Sequence, residues 1–225
     1  MTGKLYGVSV GPGDPQLMTL AAKARIEQAE VIAFVRTPRQ GTFALDIIKE
    51  VVDLSGKILL ELPFIMQKSK DLRAERYREN AAQITDYLKN GRDVCMINLG
   101  DVSLYSTFSY MDTLIRHAGF ETQWIPGVTS ISAGACAARV PLAAMDQAIH
   151  ILPGSFSDPE DLSLPGTKVV MKSAGSFKEL RETILELHED AFVVENIGLP
   201  TERIEQLREV EEAGYFTLIY MRDSL

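Results

Sequence analysis

The chain has 225 residues, 46% of them hydrophobic and 24% charged, with 31 acidic against 23 basic residues for a formal charge of -8 at pH 7. This composition excludes a disordered or fibrous protein and leaves one large α/β unit or two compact halves. So acidic a chain is a poor match for nucleic acid, although a small anionic ligand can sit in a local cationic pocket. Cys95 and Cys136 stand in apolar surroundings with no second Cys or His at metal-ligand spacing, so both are expected in the core and no metal site is expected. No apolar signal region opens the chain, and charges interrupt each later hydrophobic run before it could span a bilayer. A cytoplasmic, reduced protein that does not enter the membrane is the expectation.

In chain order, Leu5–Val10 alternates in β-forming residues and runs into Gly11-Pro12-Gly13-Asp14, after which Leu17, Leu20, Ala21 and Ala24 recur at helical spacing. Val31–Val35 is a short β-branched run, and Phe43, Leu45, Ile47, Ile48 and Val51 suggest the next helix. Lys57–Leu62 reads as a strand stopped by Pro63, and Lys70–Asn90 as a long charged helix stopped by Gly91. Asp93–Leu99 is a buried strand, Ser106–Ala118 a helix, Glu121–Ile125 a strand and Thr129–Ala138 a helix of small residues. Such βα alternation predicts a parallel sheet covered by helices. Val140-Pro141-Leu142 breaks the pattern, which places a boundary between an N-terminal lobe over 1–142 and a C-terminal lobe over 143–225. The second lobe offers strands at 148–152, 168–172, 191–197 and 215–220 and a helix over Phe177–His188. Gly154–Gly166 reads as a long loop, and Glu202–Glu212 is ambiguous.

Gly11-Pro12-Gly13-Asp14 stands where a dinucleotide fold carries its phosphate loop, but the order is not G-x-G-x-x-G and no G-K-[ST] is present. A helix N-terminus favours anions, yet Asp14 already occupies that field and would repel a pyrophosphate. NAD, FAD and ATP all lose ground. Leu99-Gly100-Asp101 puts a second aspartate at a strand end, and Pro126-Gly127-Val128-Thr129-Ser130 forms a third turn. In an open α/β sheet all three converge at the carboxyl ends of the strands, where ligands bind. Two carboxylate-bearing turns suit a cationic or polyhydroxyl ligand. S-adenosylmethionine, with a ribose diol, an ammonium and a sulfonium but no phosphate, meets that description. Asp14 and Asp101 read equally well as simple N-caps.

Three blocks together resemble the tetrapyrrole (corrin and porphyrin) methylase family. They are Val8-Ser9-Val10-Gly11-Pro12-Gly13-Asp14-Pro15-Gln16-Leu17-Met18-Thr19-Leu20, Leu99-Gly100-Asp101-Val102-Ser103-Leu104-Tyr105-Ser106-Thr107-Phe108, and Ile125-Pro126-Gly127-Val128-Thr129-Ser130-Ile131-Ser132-Ala133. Met18 is an extra residue in the first, and Val102 replaces a proline common in the second. The Ser-Leu-Tyr-Ser-Thr-Phe run is most similar to the branch that methylates carbon 20 of precorrin-2 or cobalt-factor II in cobalamin synthesis. Pro141-Leu142-Ala143 and Ile151-Leu152-Pro153-Gly154 belong to the same likeness. The resemblance implies a parallel-sheet N-terminal lobe and a mixed-sheet C-terminal lobe with the cofactor in the cleft between them, and a homodimer. It implies cofactor contacts at Pro12, Gly100, Asp101, Leu104, Thr129, Ser130 and Met171, with Ile197 and Gly198 as further ones; Met171 reads equally well as core.

Methyl transfer from a sulfonium to an electron-rich carbon is an in-line displacement that depends mainly on alignment, and no triad or metal cluster is visible. His117, His150 and His188 lie on separate elements and read as structural, so no general base is assigned. The acetate and propionate rim of a tetrapyrrole needs cations, for which Arg36, Arg39, Lys68 and Lys70 are the candidates, each with an alternative reading as a solvated charge. Other readings are a relative acting on a different ring position or on a macromolecule, and a non-enzymatic adenosylmethionine-binding protein. A ribosomal-RNA methylase of this fold would be expected to carry a Gly-Thr-Pro motif, which is missing.

Overall fold

The computed structural model describes residues 2–36, 42–64, 70–154, 158–187 and 190–222. Contacts divide the chain into two units, Met1–Thr129 and Ser130–Leu225. Among the described residues no helix is long and apolar enough to cross a membrane.

The first unit runs β1 (Leu5–Ser9), α1 (Leu20–Gln28), β2 (Val31–Arg36), α2 (Phe43–Lys49), β3 (Ile58–Pro63), α3 (Lys70–Lys89), β4 (Val94–Asn98), α4 (Phe108–His117) and β5 (Thr122–Ile125). Its strands form one sheet in the order β3-β2-β4-β1-β5, parallel at every pairing. The period-2 alternation of each strand sends its side chains into two separate cores. Cys95 and Ile97 join Tyr6, Val8 and Ile32 against Ile26 of α1 and Ile48 of α2. Val94 and Met96 join Leu5, Val31 and Ala33 against Ile84 of α3 and Phe108 and Ile115 of α4. Burial in the first of these cores pushes the Cys95 thiol up to about 12, which keeps it neutral and unreactive.

This distribution has a consequence for binding. β1 and β4 are neighbours, yet the helix after β1 covers one face and the helix after β4 covers the other. The two chains therefore part at the carboxyl ends of these strands, and a crevice at such a switch point is where doubly wound sheets bind ligands.

The second unit runs α5 (Ser130–Ala137), β6 (Ile149–Pro153), α6 (Pro159–Leu162), β7 (Thr167–Met171), α7 (Phe177–Leu187), β8 (Ala191–Glu195), β9 (Arg203–Gln206) and β10 (Thr217–Met221). Its sheet, β6-β7-β10-β8-β9, is parallel only between β6 and β7. One face packs Val170, Val193 and Ile219 against Phe177, Leu180 and Ile184 of α7. On β10 the alternate residue, Tyr220, stacks on Phe192 at 4.8 Å and donates its hydroxyl to the Ile131 carbonyl of α5 at 2.8 Å.

Four expectations change. The division falls before α5 rather than at 142, and the Tyr220–Ile131 bond is what ties α5 to the second sheet. Leu17 lies in a short 3-10 turn, Pro15–Leu17, and α1 begins only after Thr19, whose hydroxyl caps it. The loop over 154–166 contains α6, capped by Asp158, and the ambiguous 202–212 segment is edge strand β9 followed by a 3-10 turn. Cys136 is exposed, because α5 buries Ile131, Ala133, Gly134 and Ala135 and turns the next residue outward.

Candidate active site

Three turns leave the carboxyl edge of the first sheet. The first starts at Gly11, which exchanges backbone hydrogen bonds with Gly100: Gly100 N donates to the Gly11 carbonyl at 2.7 Å, and Gly11 N to the Gly100 carbonyl at 3.3 Å. Both glycines have φ between 70° and 80°, a conformation open to Gly at little cost and strained for other residues. The switch point is thus stitched by two residues whose left-handed backbone favours glycine, with Leu17 also crowding a side chain at Gly11. Asp14 then accepts the Gln16 N–H at 2.8 Å and caps the 3-10 turn. The cap reading is the correct one for its side chain.

The second turn is built around Asp101, only 7% exposed. Its Oδ1 accepts the Ser103 N–H at 2.8 Å and the Ser103 hydroxyl, while Oδ2 reaches across to the Gly127 N–H of the third turn at 2.7 Å. Burial pushes the Asp101 carboxyl up, but hydrogen bonds from Ser103, Gly127 and Ser9 outweigh it and hold the pKa below the ordinary value. The side chain is therefore ionised and occupied by protein donors. Behind it, Asn98 accepts from the Ser106 hydroxyl at 2.8 Å, and Ser106 in turn accepts the Phe108 N–H at 3.1 Å where α4 begins.

The third turn, from Pro126 to Thr129, closes on both others. Its Gly127 is held by Asp101, and the Pro126 carbonyl accepts from the Thr19 hydroxyl at 3.4 Å. Nothing larger than Gly fits at 127, because a Cβ there would overlap the Ser9 Cβ and crowd the Gly100 carbonyl at 3.0 Å. None of the stretches 9–18, 97–108 and 122–132 contains a Lys or Arg. Gly-rich backbone, small hydroxyls and one ionised carboxylate fit a cationic, phosphate-free cofactor and offer nothing to neutralise a pyrophosphate.

Of the expected cofactor residues, Pro12, Gly100, Asp101, Leu104 and Thr129 lie on these three turns, and Ser130 opens α5. Met171 ends β7 in the second unit, half-buried and paired with Leu218 and Pro153. Ile197 is buried and Gly198 donates to Glu202 at 2.8 Å. Among the rim cations, Arg36 faces Glu61 at 3.3 Å on the surface, Lys70 is exposed at the start of α3, and Arg39 and Lys68 lie outside the described residues, as does His188. His117 is exposed at the end of α4, and His150 meets the Pro165 carbonyl at 3.0 Å. A groove of about 310 Å³ between α1 and β5, lined by Arg25, Gln28 and Trp124 among others, includes none of the expected site residues. Ser9 and Asn98 are signalled in the sequence only as polar residues ending apolar strands, and Ser106 only as a hydroxyl just before α4.

The sequence profile of the tetrapyrrole (corrin/porphyrin) methylases matches residues 4–211. The chain belongs to this family. It is an S-adenosylmethionine-dependent methyltransferase, as its family membership shows and as turns without Lys or Arg suit. It is 38% identical over 172 residues to a probable cobalt-precorrin-2 C(20)-methyltransferase of Methanocaldococcus jannaschii, covering 76% of this chain and 72% of the relative. It is 30% identical over 233 residues to the cobalt-precorrin-2 C(20)-methyltransferase of Salmonella typhimurium, covering 97% and 96%. In fold it is similar to a uroporphyrin-III C-methyltransferase of Thermus thermophilus crystallised with S-adenosylhomocysteine, at a TM-score of 0.73 and 21% identity over 98% of this chain and 92% of that one.

Proposed function

We propose that this protein methylates carbon 20 of precorrin-2 or cobalt-factor II in cobalamin synthesis, with Pro12, Gly100, Asp101, Leu104, Thr129, Ser130 and Met171 holding the cofactor. The observation that carries the reading is the likeness, nearly end to end, to a C(20)-methyltransferase, joined to three braced turns without a cation at the β1/β4 switch point. When bound, S-adenosylmethionine supplies an electrophilic methyl group on its sulfonium. The protein's part is to orient. Alignment of this kind contributes roughly 7–11 kcal/mol in well-oriented intramolecular reactions, and it requires turns that do not shift when the ligand enters. The Asp101 ties to Ser103 and Gly127 meet that requirement, and the negative field of the carboxylate favours a cationic group nearby.

Arg36, Arg39, Lys68 and Lys70 hold the carboxylate rim of the substrate, Arg36 sharing its charge with Glu61. Neutralising the four together raises the KM for tetrapyrrole and leaves cofactor affinity nearly unchanged, and added salt has the same effect. The protein works as a cytoplasmic homodimer, which sedimentation equilibrium of the purified chain tests. The deciding experiment is incubation with carbon-13 methyl-labelled adenosylmethionine and each tetrapyrrole, followed by NMR of the product. A single labelled methyl on carbon 20 is expected, and a methyl on a pyrrole β-carbon or on nitrogen overturns the assignment.

A further inference from the structure

We propose that Ser9 is a positioning residue for cofactor binding, its one buried hydroxyl holding all three strand-end turns in a single arrangement. The inference rests on the reading of those turns as the cofactor site. Ser9 is the last residue of β1 and is wholly buried in an otherwise apolar strand. A buried hydroxyl must be satisfied, and this one is satisfied by two distant backbone groups. Its Oγ donates to the Ile125 carbonyl at 2.8 Å, where β5 ends, and accepts the Val102 N–H at 2.8 Å, inside the turn after β4.

These bonds close a circuit. Val102 follows Asp101, the Asp101 carboxylate holds the Gly127 N–H at 2.7 Å, and Gly127 lies against the Ser9 Cβ. Ile125, which the hydroxyl also holds, is two residues before Gly127. Ser9 thus touches the second turn through its lone pair, the third through its proton and its carbon, and the first through the chain itself. The same hydroxyl also helps keep Asp101 ionised. With one proton to give, it serves the Ile125 carbonyl or the carboxylate at any moment, and either bond pulls the second and third turns toward β1. Movement of one turn alone would orphan a buried backbone group or separate Gly127 from its charged partner.

The test compares Ser9→Ala, Ser9→Gly, Asp101→Ala and a core control, Ile84→Val, by calorimetric binding of S-adenosylhomocysteine, thermal melting, and kcat and KM for adenosylmethionine. Ser9→Ala deprives the Val102 N–H of its acceptor and the Ile125 carbonyl of its side-chain donor, and should raise both the Kd and the cofactor KM roughly tenfold with a smaller fall in kcat. Ser9→Gly should bind better than Ser9→Ala even though Gly is the poorer strand residue. Removing the whole side chain leaves room for a water with three polar partners, Val102 N–H, the Ile125 carbonyl and Asp101. Ile84→Val should lower the melting temperature without changing Kd.

An unchanged Kd in Ser9→Ala beside a weakened Asp101→Ala overturns the positioning role alone. Unchanged affinity in both overturns the reading of the site. Ser9→Gly binding more weakly than Ser9→Ala also overturns the proposal. Should Ser9→Ala not fold, Ser9→Cys carries the same test: its longer, weaker donor should raise Kd, and wild-type affinity there counts against the role.

Discussion

Asp14 and Asp101 each follow a glycine at a strand end, yet they do different things. Asp14 accepts one N–H from Gln16, two residues on, at the surface. Asp101 is buried and reaches Gly127, separated from it by 26 positions in sequence, while also holding Ser103. One is a local cap; the other ties two turns together. The difference lies not in the dipeptide but in what the sheet brings beside it, since β4 is central and β1 alone separates it from β5.

The sharpest way to break the contrast is Asp101→Ala. It strips two part-buried backbone N–H groups and a hydroxyl of a charged acceptor and should cost about 2–3 kcal/mol of stability, with a rise in adenosylhomocysteine Kd of tenfold or more by calorimetry. Wild-type affinity in a folded Asp101→Ala protein would reduce this residue to the status of Asp14.

Gly127→Ala attacks the same tie from the other side. The new methyl overlaps the Ser9 Cβ, so a loss of roughly 1–3 kcal/mol is expected from overpacking, measured by urea unfolding. A milder loss is expected in Gly127→Ala/Ser9→Gly, which removes the obstructing carbon.

Acid should release the tie gradually. Because the folded pKa of Asp101 lies below its ordinary value of 3.8, its stabilisation is present above that value and is lost as pH falls through the folded pKa. The melting-temperature gap between wild type and Asp101→Asn should therefore be constant above about pH 5 and close below pH 3.8. A gap that persists through that range would show that the carboxylate charge contributes nothing.

Asp14→Ala should have the smallest effect, about 1 kcal/mol or less, as for an exposed cap, with Kd unchanged. A tenfold loss of affinity there would erase the distinction between the two turns.

Much of the first unit was legible because parallel βα units repeat a strong local signal: an apolar run, a Gly-containing turn, then a 3.6-residue period. Lys70–Lys89 and Val94–Asn98 lie within one or two residues of their expected ends for that reason. Leu17 misled because a leucine inside a 3-10 turn continues the helical spacing, whereas Pro15 and the Thr19 cap set the true start. Cys136 departs from the core expectation because it follows the exposed Ser132 by four residues and so shares its outward face of α5. In the second unit, β9 was obscured by alternating charge, Arg203-Ile204-Glu205-Gln206, as suits an exposed edge strand.

The sequence by itself determined the positions of the three turns, the absence of any Lys or Arg from them, and the family whose motifs they carry. Local chemistry specifies such features, since glycine permits the turn and an aspartate placed there disfavours a phosphate. Only the tertiary structure decided that Asp14 is a cap, that Asp101 is a tie, and that Ser9, an unremarked hydroxyl in a strand, joins groups 93 and 116 positions away. A side chain's hydrogen-bond partners are chosen by the strands that flank it, and strand order is set by which helices can cover which face, a property of the packed sheet that no short stretch of chain contains.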